Sequence, residues 1–277
     1  MRRVKKKKRK KNGSFRWLVF CFAVFCLWLF STFTLTVTEA EIKSTKIKNE
    51  ITIVQITDLH GSDFGMNNSS IVKRIEKAKP DIVVVTGDMY TRGSEEGKNT
   101  ALKLMRKISE DYATYYVNGE HDNEESFFDE LRKNNVNVLD YKFEDITIKK
   151  TPVRIYGITN VYYSPTFDLN NEFTLDDSRY NILLAHICNK ESFAHFGLDL
   201  CLCGDTHGGQ VRLPFIGGLY GTTGWLPEVV DKEAFVKGSY KYENTDFFIS
   251  SGLGNYPIPL RFLNRPEIAV IKLIPEK

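Results

Sequence analysis

From residue 51 onward, the chain alternates short, uninterrupted apolar runs with helical or loop-like segments. Runs of this kind are typical of β-strands buried on both faces, as in a largely parallel sheet covered by helices. Eight strands are predicted, at residues 51–56, 81–86, 114–118, 153–158, 181–187, 198–203, 246–251 and 268–273. Apolar spacing and end signals predict helices over residues 70–79, 98–110 and 125–134. Residues 51–277 are therefore expected to form one α/β domain.

Residues 17–37 form an uncharged, strongly apolar run of 21 residues. As a helix, this run would extend about 31 Å, which matches the hydrocarbon core of a bilayer. We predict a transmembrane signal anchor here, preceded by a basic cytoplasmic tail at residues 1–16 and followed by a linker at residues 38–50. The basic tail places the domain outside the cytoplasm, as part of a single-pass protein of the cell membrane. The alternative is a signal peptide cleaved near residues 38–40, which would yield an exported soluble form.

Charge is distributed unevenly along the chain. Ten of the 38 basic residues lie before residue 17, and the rest of the chain holds 28 basic against 35 acidic residues, a net charge of −7. An acidic domain argues against a surface that binds a phosphate backbone, so no nucleic-acid partner is expected.

Residues able to bind metals or transfer protons are concentrated at the ends of the predicted strands. They are Asp58, His60, Asp88, Glu120, His121, Asp122, His186, Asp205 and His207. In open α/β sheets the carboxyl ends of the strands form the crevice where ligands bind, so these side chains are expected to meet. A cluster of carboxylates and imidazoles is electrostatically stable only with bound cations. Mixed oxygen and nitrogen donors suit Mn, Fe, Zn, Co or Mg.

The order of these segments resembles the calcineurin-like metallophosphoesterase superfamily, whose elements are D-x-H, G-D, G-N-H-D/E, an isolated H and G-H-x-H. The matching segments here are Asp58-Leu59-His60, Gly87-Asp88, Gly119-Glu120-His121-Asp122, His186 and Asp205-Thr206-His207. The later segments 208–214, 252–254 and 259–262 are similar to the exported or membrane-anchored bacterial branch. The resemblance covers the chain from residue 51 onward and implies a four-layer αββα sandwich.

The resemblance also implies a dinuclear metal site. The expected ligands of the first divalent ion are Asp58, His60, Asp88 and His207. Asp88 would bridge to a second ion, completed by His186 and the residues at positions 120 and 205. This chain departs from the family at both of these positions, where Glu120 replaces the usual Asn and Asp205 the usual His. Because both replacements can coordinate through oxygen, we expect a retuned site that favours Mn rather than a damaged one.

The activity implied by the resemblance is hydrolysis of a phosphoester or pyrophosphate bond by metal-bound hydroxide. His121 is expected to protonate the leaving group, with Asp122 orienting it. The membrane anchor suggests a phosphorylated small molecule or an envelope lipid as the substrate. The alternative hypothesis is a metal-containing binding or scaffold protein on the same fold, with little or no turnover, and its support is the pair of replacements at positions 120 and 205.

Overall fold

The structure, a computed structural model, describes residues 12–159, 167–221 and 224–276. The helices are α1 (Asn12–Phe33), α2 (Ser69–Ala78), α3 (Glu95–Ser109), α4 (Glu125–Lys133), α5 (Lys190–Phe196) and α6 (Pro227–Val230). The strands are β1 (Thr36–Ser44), β2 (Ile51–Ile56), β3 (Ile82–Thr86), β4 (Thr114–Val117), β5 (Val136–Val138), β6 (Lys142–Ile148), β7 (Thr151–Gly157), β8 (Tyr180–Leu184), β9 (Leu200–Cys203), β10 (Arg212–Leu213), β11 (Gly217–Gly218), β12 (Tyr220–Gly221), β13 (Gly224–Trp225), β14 (Gly238–Tyr242), β15 (Thr245–Ile249) and β16 (Glu267–Pro275). Most of the predicted basic tail, residues 1–11, lies outside the described residues.

Two six-stranded sheets carry the architecture. The first has the order β1-β16-β2-β3-β4-β5 and the second the order β14-β15-β9-β8-β7-β6. Strands β2 to β5 run parallel in the first sheet, as do β7, β8, β9 and β15 in the second. All eight predicted strands and all three predicted helices are present, which confirms the α/β class.

Alternation of side chains along the strands divides the interior into three apolar cores. In β2, Ile51 and Ile53 lie in the core between the two sheets, whereas Val54 and Ile56 lie in the core formed with α2, α3 and α4. A third core joins the outer face of the second sheet to α5, where Phe193 is fully buried. Each buried aliphatic or aromatic side chain stabilises the fold by about 1.5–3 kcal/mol relative to exposure. Helices therefore cover both outer faces, and the predicted four-layer αββα sandwich is confirmed.

The N-terminal region differs from the prediction after residue 33. Residues Ser14–Phe33 form one helix with a mean hydropathy of 1.8, apolar and long enough to cross a membrane or to serve as a signal sequence. The apolar span is thus shorter at its end than the predicted residues 17–37. The predicted linker at residues 38–50 is also corrected, because β1 pairs in parallel with β16 along most of it. Ala40 and Ile42 on one face of β1 are buried in the central core, and the exposed charges of Glu39, Glu41 and Lys43, which alternate with them, gave the segment its linker-like composition.

The strands that end in candidate ligands meet at one edge of the sandwich. Parallel pairing brings the carboxyl ends of β2, β3 and β4 together in the first sheet and those of β8 and β9 together in the second. Gln55 joins the two sheets at this edge, since its side-chain amide donates to the Thr86 hydroxyl and to the Cys203 carbonyl, both at 2.9 Å. The loops that follow these strands therefore begin at strand ends that are hydrogen-bonded both within one sheet and between the two sheets.

Candidate metal centre

The loops beyond these strands surround a cleft of about 410 Å³. Six of the predicted residues line it, namely His60, Asp88, Glu120, His121, Asp205 and His207. Asp58 and His186 lie close to the lining residues and are buried from solvent. The expectation that the strand ends bring these side chains together agrees with the structure for every residue except Asp122.

One group of candidate ligands consists of Asp58, His60 and His207, whose ligand atoms all lie within 4.8 Å of one another. The Nε2 atoms of His60 and His207 are 3.2 Å apart, and Nε2 of His207 is 3.9 Å from Oδ1 of Asp58. The Thr91 hydroxyl lies 3.3 Å from Nδ1 of His60 and can hold that ring with Nε2 turned inward. Atoms that share one ion at about 2.1 Å are separated by roughly 3.0–3.5 Å, so the two imidazoles are spaced as ligands of one cation.

A second group surrounds His186, a buried residue that the sequence singled out as an isolated histidine. Its Nδ1 lies 2.6 Å from the Thr86 carbonyl, to which it donates, so Nε2 is the atom left for a ligand. Nε2 lies 3.4 Å from Asp88 Oδ2 and 3.8 Å from Oδ1 of both Asp58 and Asp205. This nitrogen has no hydrogen-bond partner within the described parts of the chain.

Two aspartates lie between the groups. Oδ2 of Asp88 is 3.4 Å from His186 and 3.7 Å from His60, which is the position of a bridging carboxylate. Asp58 also contacts both groups, through His186 and His207. The sequence predicted a bridging role for Asp88 alone. In the structure, Asp58 and Asp88 both lie between the two groups of candidate ligands.

Burial and mutual repulsion make this cluster unfavourable by itself. Burial, reinforced by the charges of Asp88 and Asp205, raises the pKa of Asp58 to about 7. Burial likewise raises the pKa of Asp205 to about 6, whereas it lowers the pKa of His60 to about 3. His60 is therefore neutral at physiological pH, with a lone pair available for a cation.

His186 and Asp88 form the tightly coupled pair within the cluster. Burial disfavours charge on His186, but the nearby Asp88 and Asp58 carboxylates outweigh burial and raise the pKa of the imidazole well above its usual range. Burial also opposes ionisation of Asp88, yet His186 outweighs it and lowers the pKa of that carboxyl. A positive charge is thus favoured between these side chains, and a bound cation can supply it in place of a proton.

Strained backbone at the candidate ligands is a further sign of function. Asp58, His60, Asp88, Asp205 and His207 all have positive φ values, between 48° and 70°. Only a few per cent of non-glycine residues adopt this region, and such outliers cluster at functional sites. Glycines allow the resulting close approach, since a Cβ at Gly252 would lie 2.6 Å from that of Asp58, and one at Gly119 would collide with the Asp88 carboxylate.

The donor set matches a pair of divalent cations. Asp58, Asp88 and Asp205 supply three carboxylates, and the imidazoles of His60, His186 and His207 are neutral donors when they bind metal. Two divalent ions would offset these three charges and leave one positive charge for an anionic ligand. The unpartnered Nε2 of His186 and the facing imidazoles of His60 and His207 are the local features that such ions would complete.

The two departures from the family pattern differ in the structure. Asp205 is mostly buried, lies against His186, and its backbone N–H donates to Asp58 at 3.2 Å. Glu120 lines the cleft but is exposed, and it belongs to none of the metal-binding groups among the described residues. Its charge nevertheless raises the pKa of Asp205, after burial and Asp88. Asp205 therefore has the position of a ligand, and Glu120 has that of a neighbouring charge.

His121 lies at the wall of the cleft. Its backbone N–H donates to Asp88 Oδ1 at 2.9 Å, and its ring contacts the rings of His60 and Tyr256, with centroids 5.2 Å and 4.6 Å away. Nδ1 accepts from the Arg92 backbone N–H at 3.4 Å, which assigns the proton of the neutral ring to Nε2.

Asp122, the residue expected to orient His121, binds two backbone N–H groups beside the cleft. Its two carboxylate oxygens accept the backbone N–H groups of Met89 and Gly119, each at 2.7 Å, and the side chain is fully buried. The bond to Gly119 closes a short turn, and the bond to Met89 ties it to the loop after β3. Asp122 therefore fixes the loops that carry Asp88 and His121.

Several supporting residues had no role at the site assigned from the sequence. The segment Ser250–Gly254 wraps Asp58, with the Leu253 N–H donating to the Thr57 carbonyl at 3.0 Å. Arg261 is buried behind it and donates to the Ser251 and Gly254 carbonyls at 2.7–3.0 Å. Asn264 donates to the His207 carbonyl at 2.7 Å. The run of small residues after β15 was the available signal for this wrapping.

An αββα sandwich with this cluster at its strand ends defines a metallophosphoesterase. Residues 51–209 match the calcineurin-like phosphoesterase family model, which is more than half of the chain. The chain belongs to that family, whose members use divalent metals, and it is accordingly a hydrolase. The resemblance of the motifs to the calcineurin-like superfamily is thereby confirmed.

Relatives with similar sequences come from several bacteria. The chain is 26% identical to the uncharacterized metallophosphoesterase YkuE of Bacillus subtilis, over 85% of this chain and 84% of that protein. It is 25% identical to the phosphodiesterase YaeI of Escherichia coli, over 80% and 82%. It is 28% identical to an uncharacterized metallophosphoesterase of Helicobacter pylori (strain J99), but spans only 64% of its length. The phosphopantetheinyl hydrolase PptH of Mycobacterium tuberculosis has a similar structure, with 12% identity, a TM-score of 0.46, and coverage of 75% of this chain and 91% of that one.

Proposed function

We propose that this chain is a membrane-tethered, two-metal phosphoesterase that hydrolyses phosphoester or pyrophosphate bonds. The observation that carries the proposal is the environment of His186. A buried imidazole nitrogen with no hydrogen-bond partner among the described residues lies 3.4–3.8 Å from three carboxylate oxygens. A cation between these atoms gives every one of them a partner.

Each cation has its own ligands in this proposal. The first is held by Asp58, His60, Asp88 and His207. The second is held by Asp88, His186 and Asp205, with the charge of Glu120 acting from the mouth of the cleft. Carboxylate and imidazole donors without a thiolate favour Mn, with Fe, Zn, Co and Mg as the other candidates.

The bound ions would supply a water of lowered pKa as the nucleophile and would neutralise the phosphoryl oxygens. The residues of the chain fix the geometry and handle the leaving group. His121 is the proposed general acid, because it lines the cleft and its imidazolium form would pass a proton to the leaving-group oxygen and become the neutral ring. Its backbone bond to Asp88 holds it beside the ligands, so that the leaving-group oxygen is protonated as it departs.

An uncleaved membrane anchor is the form of the chain that we propose. Cleavage near residues 38–40 would divide β1, which pairs with β16 over its full length. Residues at the end of α1 also bond to the domain, as when Thr32 donates to the Arg261 carbonyl at 3.1 Å. The basic residues before α1 favour an orientation with the catalytic domain outside the cytoplasm. Phosphorylated small molecules and envelope lipids are the proposed substrates.

Metal content and hydrolysis test this function together. The full chain, purified in detergent, is stripped with a chelator, reconstituted with Mn²⁺, and assayed on bis-4-nitrophenyl phosphate and 4-nitrophenyl phosphate. We expect two equivalents of metal and Mn-dependent release of 4-nitrophenol, with His186→Ala losing both activity and metal. The exposed Asp177→Asn variant is the matched control. Two bound metals without turnover on either ester would favour the binding or scaffold protein instead, and no bound metal would exclude the proposal.

A further inference from the structure

The last residues of helix α1 run alongside the segment 255–265 of the catalytic domain. The Trp28 indole N–H donates to the Pro259 carbonyl at 3.0 Å. The Leu263 N–H donates to the Ser31 hydroxyl at 3.1 Å. The helix and this segment are therefore fixed side by side over more than one helical turn.

The position of Trp28 sets the depth of that contact in a bilayer. It lies five residues before the end of α1 at Phe33, which is about 7.5 Å along the helix axis. A span of 20 residues is about as long as the hydrocarbon core is thick, and the polar interface adds about 5–7 Å on each side. If α1 spans the membrane with its last turn in this polar interface, the segment beside Trp28 lies at the boundary between the acyl chains and the headgroups.

The outward side chains of this segment suit that depth. Ile258, Leu260 and Leu263 are 54%, 42% and 45% exposed. Exposed aliphatic side chains placed next to a membrane-spanning helix are typical of interfacial insertion. The adjoining hairpin of β10 and β11 continues the surface, because Val211 bridges to Phe262 and the hairpin tip carries the fully exposed Phe215.

Cationic groups occur at the same level. The Arg265 guanidinium lies 4.7 Å from the centroid of the Phe30 ring, and its Nε donates to the Thr34 carbonyl at 3.2 Å. Arg74 and Arg265 line a cavity of about 760 Å³ beside Phe30 and Phe33 at the end of α1. Cations above an apolar surface complement the phosphates of a lipid leaflet.

The same segment reaches the metal cleft. Tyr256 and Pro257 line the cleft, and the Tyr256 ring stacks on His60 with centroids 4.7 Å apart. Pro259 lies three positions after Tyr256, a distance of at most about 11 Å. One short stretch of chain thus connects the wall of the metal cleft to the membrane-level contact.

We infer that the segment 258–263 inserts into the lipid interface beside α1 and holds the metal cleft at headgroup level, so that the enzyme acts on phosphates of amphiphiles resident in the leaflet. This inference rests on the proposed function for its chemistry, but the membrane contact itself is independent of turnover. A flexible tether alone would leave the domain free to face soluble esters. The packing of α1 against the segment instead fixes the cleft relative to the leaflet.

Fluorescence quenching tests the position of the segment. Single cysteines replace Ile258 and Leu260 in the full chain with Cys21, Cys26 and Cys188 changed to Ser, and each is labelled with a nitrobenzoxadiazole dye. The control is Phe143→Cys, a 46% exposed apolar position on β6, at the end of its sheet opposite β14. In phosphatidylcholine vesicles with nitroxide-labelled lipids, we expect quenching at positions 258 and 260 but not at 143. Equal, weak quenching at all three positions overturns the inference.

A pair of substrates tests the consequence. Hexadecyl 4-nitrophenyl phosphate in mixed micelles is compared with methyl 4-nitrophenyl phosphate in solution, for the Mn-loaded wild type and the Ile258→Ser/Leu260→Ser variant. We expect the variant to lose roughly fivefold in kcat/KM for the hexadecyl ester, as for two aliphatic side chains leaving the interface, and to keep its rate on the methyl ester. Equal rates on both esters for both proteins contradict the inference. Quenching at 258 and 260 with no hydrolysis of either ester leaves the membrane contact standing and counts against the proposed function.

Discussion

The change Asp58→Asn should have opposite effects on stability in the metal-free and metal-loaded protein. Asp58 is fully buried, and its pKa is raised from 3.8 to about 7, first by burial and then by the carboxylates of Asp88 and Asp205. The folded, metal-free protein therefore binds this proton more tightly than the unfolded chain does. The resulting stability is fully present below about pH 4 and is lost as the pH rises towards 7.

The size of the effect follows from the pKa. A rise from 3.8 to about 7 corresponds to a cost on the order of 4 kcal/mol above pH 7, which is an upper bound because relaxation reduces it. Asparagine cannot ionise, and its Oδ1 can still accept the Asp205 N–H. At pH 8 the metal-free variant should melt above the metal-free wild type, by at most about 16 °C, and at pH 4 the difference should vanish.

Added Mn²⁺ should reverse the order. At a hundred times its dissociation constant, a bound metal stabilises the wild type by about 2.7 kcal/mol per site, and the variant loses most of this gain. Differential scanning fluorimetry of the detergent-solubilised chain, with chelator or with Mn²⁺ at pH 4 and pH 8, measures both effects. The exposed Asp177→Asn variant controls for loss of one carboxylate. An Asp58→Asn protein that is less stable than the wild type without metal at pH 8 would refute the reasoning.

Three further variants separate the roles assigned around the cleft. His121→Ala should lower kcat by about 10²–10⁴ while metal content, measured by mass spectrometry, stays at the wild-type level, and loss of metal would contradict the general-acid role. Asp122→Ala should destabilise the fold by about 3 kcal/mol or more with or without Mn²⁺, because two buried N–H groups lose their charged acceptor, and an unchanged melting temperature with impaired turnover would instead indicate that Asp122 orients His121. Glu120→Gln should weaken binding of one of the two Mn²⁺ ions several-fold in a titration without changing the stoichiometry, since Glu120 acts through its charge, and loss of that ion altogether would make it a direct ligand.

The meeting of the candidate ligands could be predicted because parallel strands share their carboxyl edge. Asp58, Asp88 and His186 each follow an apolar strand that is buried on both faces. The apolar run alone therefore predicts that each residue lies at the end of a central strand. Continuous apolar strands with helices between them likewise predicted one α/β domain, whereas the four-layer αββα arrangement was implied by the resemblance of the motifs. No contact between distant loops had to be known for either conclusion.

Other features depend on contacts that sequence patterns do not encode. Strand β1 is an edge strand with one solvent-facing side, so its alternating charges concealed a strand that only pairing with β16 reveals. The direction of the Asp122 carboxylate depends on the turn from Gly119, whose backbone it binds. Glu120 and Asp205 were equivalent substitutions in the motif, but loop conformation buries Asp205 against His186 and leaves Glu120 at the surface.

The most direct test of the central claim is anomalous X-ray diffraction from crystals of the full chain grown with Mn²⁺. We expect two manganese peaks about 3.5–4 Å apart, one contacting His60 and His207 and the other contacting His186, with Asp88 between them. A single peak, or two peaks remote from these side chains, would contradict the dinuclear centre on which the proposed hydrolysis depends.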